Sequence, residues 1–143
     1  MINNSTDLLY IDNVLHLFLN DNIVSIKLLG DCFNDEIINK MYKTLETFYD
    51  ICKKKNKKFY HIYDFSNCKL INIPNYVTYV NSIISFLKKH EEFYKIYLYG
   101  TAFITYTNLS KHVCNLVLKK YTPVRPFKFF TIEESIDFSF SNI

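Results

Sequence analysis

Glycine occurs only at positions 30 and 100, arginine only at 125, proline three times and tryptophan not at all in these 143 residues. So few glycines leave no Gly-rich loop to cradle a phosphate, and no Walker loop, dinucleotide fingerprint or nucleophile elbow is present. No run of eighteen apolar residues exists, so no segment reads as a membrane span. The opening MINNSTDLLYIDN has neither a basic region nor a long apolar core. It does not read as a secretory signal, and a cytoplasmic location is the expectation. Cys32, Cys52, Cys68 and Cys114 never form a CxxC pair. A four-cysteine disulfide framework is conceivable, but without a secretion signal isolated reduced thiols are the better reading. His16, His61, His90 and His112 lie on different segments without metal-ligand spacing, so neither metal nor cofactor is expected.

What is present describes a globular chain. The hydrophobic fraction of 49% against 22% charged residues is that of a folded domain, and the length is that of one domain. Residues 1–12 read as a short extension of it. Heavy use of lysine and asparagine is the composition an AT-rich genome produces, as in some parasites and large DNA viruses. The 12 tyrosines and 13 phenylalanines then fill core and boundary positions. A net charge of +3 is too mild to imply nucleic-acid binding by itself.

Val14–Leu19 and Ile23–Leu29 are β-rich runs separated by Asn20-Asp21-Asn22, residues that tolerate left-handed turns. They predict a hairpin ended by Gly30. Asn34-Asp35-Glu36 then supplies a cap and negative charge for a helix whose stripe is Ile38, Met41, Leu45, Phe48 and Cys52. That helix ends in the lysine run from Lys53. Phe59–Phe65 reads as a buried parallel strand. Pro74 opens a second helix with the stripe Tyr76, Val80, Ile83 and Leu87, which stops near His90. Tyr94–Tyr99 reads as a strand closed by Gly100. Leu109, Val113, Leu116 and Val117 mark a third helix. Pro126–Phe130 is a short strand, and Thr131 with Glu134 makes a capping box for a last helix. The expected order is β-β-α-β-α-β-α-β-α, an α/β sandwich with a mixed, mostly parallel sheet.

This order, with LLGDCF after the hairpin, YDFSN, IYLYG and the closing PVRPFKFFTIEESIDF, resembles the SpoIIAA-like fold that includes the STAS domain. The resemblance spans roughly Val14 to Phe138. It implies an α/β, STAS-like sandwich with an N-terminal hairpin and flanking helices. It also implies a non-enzymatic module that binds a protein, a nucleotide or a lipid. STAS proteins that antagonise anti-sigma factors carry a phosphorylatable serine at the start of the helix after the central strand. The matching stretch here, Asn72-Ile73-Pro74-Asn75, has no hydroxyl and no glycine.

Two rims are candidate sites. At the carboxyl ends of the strands, Asp31, Asp64, Phe65, Ser66, Asn67 and Pro74 are expected to meet, together with Gly100-Thr101. Asp64 could accept hydrogen bonds from a ligand or, with Asp31, help hold Mg²⁺; alternatively Asp64 and Ser66 cap neighbouring amides. At the opposite rim, Lys53, Lys54, Lys55, Lys57 and Lys58 are expected beside Lys88 and Lys89 and beside Lys119 and Lys120. They either attract phosphate, anionic lipid or an acidic protein, or complement the helix macrodipoles. The leading functional reading is a non-catalytic binding or regulatory module with a protein partner or a second copy of itself. A basic-rim module for nucleic acid or an anionic surface comes second, and a small-molecule enzyme using Asp64 and Ser66 third.

Overall fold

A computed structural model of the chain describes residues 5–29, 35–64, 76–105 and 108–131. Three strands come first: β1 (Ser5–Ile11), β2 (Leu15–Asn20) and β3 (Ile23–Leu28). They pair antiparallel in sequence order. The β2–β3 turn is the expected one, with Asp21 at φ 54° closing a two-residue loop between the paired Asn20 and Ile23. β1 falls within the segment read from sequence as an extension. Its register shifts between Asp7 and Leu9, which places Leu8 and Leu9 in succession against the core and breaks the period-two pattern.

Helix α1 (Asp35–Lys55) follows, then β4 (Phe59–Asp64), α2 (Tyr76–Lys89), α3 (Glu91–Tyr97), β5 (Leu98–Thr105), α4 (Asn108–Lys120) and β6 (Phe127–Thr131). The expected strand at Tyr94–Tyr99 is corrected: Glu91–Tyr97 is helical and the strand starts at Leu98. Acidic Glu91 and Glu92 occupy the first turn, and Phe93 and Tyr94 are buried. Those features favour one helical turn pair over an alternating strand. Gly100 consequently lies inside β5 and does not close it. The last predicted helix lies outside the described residues.

The six strands are ordered β1-β2-β3-β4-β5-β6, with β3 to β6 parallel. Each parallel step moves one strand in the same direction through a right-handed crossover, so successive helices fall on one face of the sheet. The core agrees. Leu15, Leu17, Val24, Ile26, Phe59, Tyr63 and Phe103 from one face of the sheet form a single cluster with Met41, Leu45 and Tyr49 of α1. Ile84 and Leu87 of α2, Phe93 and Tyr94 of α3 and Val117 of α4 belong to that same cluster. No described helix covers the other face. Strand β4 shows the consequence: Phe59, His61 and Tyr63 are buried, while Tyr60, Ile62 and Asp64 are half-buried. This alternation departs from the uniform burial that sequence predicted for a parallel strand.

At the end of α1, Asn56 takes φ 49° while Asn56 N donates to Lys53 O and Lys57 N donates to Cys52 O at 2.9 Å. This is a Schellman cap with asparagine in the left-handed position. Helix α1 therefore stops at Lys55, and Lys57 and Lys58 lie beyond it. Where α1 and α2 meet, Lys89 Nζ is 2.9 Å from Glu46 Oε2, and His90 Nε2 is 3.2 Å from the same oxygen. The Lys89 bond and charge hold the Glu46 carboxyl below the usual range. Glu46→Gln is expected to cost no more than about 1 kcal/mol in denaturant unfolding, because the Lys89 side chain remains mostly in water.

Candidate functional site

The carboxyl-end rim is built around Asp64, the last residue of β4, which pairs in register with Lys27 of β3 and Ile104 of β5. Asp31, Phe65, Ser66, Asn67 and Pro74 lie outside the described residues. The expectation that Gly100-Thr101 joins this rim is corrected. Gly100 pairs with Tyr60 and Thr101 with His61, at the opposite half of the sheet, because β5 runs on to Thr105.

The lysines are engaged in different ways. Lys53 Nζ lies 5.6 Å from the Phe93 ring centroid on the helix side. Lys54, Lys55, Lys57 and Lys58 are exposed. Lys88 and Lys89 are set back from the strands by α3, and Lys89 is held by Glu46. Lys120 Nζ donates to Asn81 Oδ1 of α2 at 3.3 Å, with Lys119 exposed beside it. Lys58 points the other way: its Nζ sits 5.7 Å from the Tyr99 ring centroid.

Tyr99 belongs to the sheet face that carries no described helix. Cross-strand pairing builds rows on that face. One row runs Phe18–Ser25–Ile62–Ala102–Lys128 across five strands. A second contains His16, Lys27, Asp64 and Ile104, and a third contains Ile23, Tyr60 and Gly100. Between Leu98 and Gly100 the β4–β5 register shifts, and Tyr99 is the extra residue. Gly100 leaves the space beside Tyr60 empty of side chain, and the Tyr99 ring stacks there at 4.9 Å. At the far side His16 lies 2.8 Å from Asp7 Oδ1 and packs against Phe18 at 4.6 Å.

The interior holds a second polar group. The Tyr49 hydroxyl lies 3.1 Å from His61 Nε2 and 2.9 Å from the Tyr94 hydroxyl, all buried beneath α1 and α3. Burial pushes His61 down to about 3, so its imidazole is neutral. Burial also raises the Tyr49 and Tyr94 phenols well above their usual value. A small cavity beside them is bordered by His61, Tyr63, Leu87, Thr101 and Tyr121. The Cys52 thiol is free, buried and raised to about 11, which leaves it an inert core group. An open groove between α1 and α2 is floored by Tyr42 and Phe86, stacked at 4.2 Å, with Ser82 3.1 Å from the Tyr42 hydroxyl.

Sequence reading did not single out Tyr49, Tyr94, Tyr60 or Tyr99. The signal for Tyr60 was the alternation in Lys58–Asp64, where the residues on one parity are aromatic and those on the other are mixed; Tyr99 had none. The chain matches no family model, no curated protein and no solved structure.

Proposed function

We propose that the chain is a non-catalytic binding module of STAS-like architecture, whose partner is a protein seated on the sheet face opposite the helices. The observation that carries the reading is the row Phe18–Ser25–Ile62–Ala102 with Ile104 beside it. Phe18, Ile62 and Ile104 are half-buried apolar side chains on a face without a described helix, with Ser25 and Ala102 buried between them, and parallel sheets ordinarily have both faces covered. The β2–β3 hairpin feeding successive parallel βα units supports the STAS-like architecture. A second copy of the chain is one such partner, since the rows form a broad surface that two copies could share.

Ile62→Lys tests this reading. The residue lies mid-row on the face away from the helices, so the helix-side core is untouched. Light scattering is expected to show a complex that dissociates in the variant while its circular dichroism stays unchanged. A chain that remains monomeric, and that gives no cross-link to another protein from a photoreactive residue at position 62 in cells, would overturn the proposal.

A further inference from the structure

Helix α1 leads into the amino end of β4, α3 into that of β5 and α4 into that of β6, and these strands are parallel. The carboxyl termini of the helices therefore gather at one end of the domain. Phe59 pairs with Leu98, which sets the end of α1 beside the end of α3. Lys53 of α1 lies over the Phe93 ring of α3, and Phe93 stacks on Tyr97 at 4.9 Å. Arg125, in the connection from α4 to β6, donates to Lys95 O in the last turn of α3. Lys58, just before β4, stands at the same end over Tyr99. Opposing charge comes from Glu91 and Glu92 in the first turn of α3, the latter held by Lys95 at 2.9 Å. It also comes from Asp21, in the turn whose Asn22 O accepts from Tyr60 N. Lys54, Lys55 and Lys57, exposed where α1 ends, leave the balance at this end positive.

Helix capping explains part of that charge. Lys53 belongs to the last turn of α1, and Arg125 satisfies a carbonyl at the end of α3. Capping does not explain Ile96. It follows Lys95 in the last turn of α3 and is 57% exposed, whereas Phe93 and Tyr94 of the same helix are buried. A partner using both features offers negative charge over a broad area and an apolar layer within reach of one side chain. Nucleic-acid phosphates have no such layer behind them, and an acidic protein would need a pocket at the matching place. A bilayer with acidic lipids offers both at every point of its surface. We propose that this end of the domain docks on an anionic membrane surface. Ile96 enters the boundary between headgroups and acyl chains, and Lys53, Lys58, Lys95 and Arg125 lie among the lipid phosphates and carboxylates. The row through Ile62 crosses the middle of the strands, to the side of this end, so the proposal does not rest on the protein-binding reading.

Sedimentation of the full chain with vesicles of equal parts phosphatidylserine and phosphatidylcholine, over a salt series, is the test. Binding is expected at low salt, falling as salt rises. Each cation at an anionic surface strengthens binding about fivefold, so pure phosphatidylcholine vesicles are expected to bind more than about a hundredfold more weakly. Lys53→Gln with Lys58→Gln is expected to cost about 25-fold. Ile96→Gln is expected to weaken binding about tenfold while Ile96→Leu retains it. Ile96→Gln is also expected to leave the cross-link from position 62 unchanged, and Ile62→Gln to leave vesicle binding unchanged, which separates the two surfaces. Absence of binding at low salt would overturn the proposal. So would equal binding to pure phosphatidylcholine, binding indifferent to Ile96→Gln, or tighter binding to oligo(dT) than to the mixed vesicles.

Discussion

Tyr49→Ala is expected to destabilise the chain by about 3–5 kcal/mol, the range for truncating a buried aromatic residue. The Tyr49 ring is fully enclosed and packs on Phe93 at 4.5 Å, Phe59 at 5.7 Å and Phe86 at 6.2 Å. It therefore joins α1 to α2, α3 and β4 at once. Removing the side chain opens a cavity and also strips His61 Nε2 and the Tyr94 hydroxyl of their shared partner. Tyr49→Phe separates the two effects. It keeps the ring and removes only the hydroxyl, so about 1–3 kcal/mol is expected from two buried groups left unpaired. Urea unfolding of the three proteins measures both. A loss below about 1 kcal/mol for Tyr49→Ala would show that α3 does not depend on this contact.

Acidification is expected to weaken the fold over a wide window, with His61 as the main cause. The folded-state value of His61 is depressed to about 3, below the ordinary 6.5, because its ring is 1% exposed and cannot be charged without desolvation. The unfolded chain therefore binds the proton first, and stability falls as protons are added. The contribution is fully present above about pH 6.5 and is lost progressively down to about pH 3. Each tenfold difference in proton affinity between the folded and unfolded chain is worth about 1.4 kcal/mol, so the loss is roughly 3–5 kcal/mol. The groups packed on the ring are Tyr49, Tyr94, Tyr63 and Phe59, none of which offers a negative charge to an imidazolium. His90, lowered chiefly by burial, and Glu46, lowered chiefly by Lys89, add losses of the same sign. His61→Gln keeps a polar partner for Tyr49 and removes one titration. Denaturant midpoints between pH 7 and pH 4 are expected to show a slope shallower by about one proton in that variant. Parallel curves for the two proteins would contradict the assignment.

Several elements were legible because local chemistry and tertiary context agreed. The stripe Ile38, Met41, Leu45, Phe48 and Cys52 is the buried face of α1, since a 3.6-residue period against any apolar layer admits one orientation. Asp21 marks the β2–β3 turn because only a left-handed conformation joins twisted strands in two residues. The strand order also follows the chain order. Other elements misled for identifiable reasons. Leu8 and Leu9 conceal β1 because a register shift removes its alternation. The stretch from Glu91 to Tyr97 is aromatic and satisfies a strand as readily as a helix; burial of Phe93 and Tyr94 against Tyr49 selects the helix.

The candidate surfaces divide along the same line. Composition, the hairpin, α1 and the alternating βα order are properties of neighbouring residues, so the amino-acid sequence alone determined them. Which face of the sheet the helices cover depends on the hand of the crossovers and on the order of the strands, and no local pattern encodes that. Tertiary structure alone therefore placed His61 in the dry interior with Tyr49 and Tyr94, and put Lys58 over Tyr99 on the other side. Those residues are next to one another only after strands distant in sequence have paired.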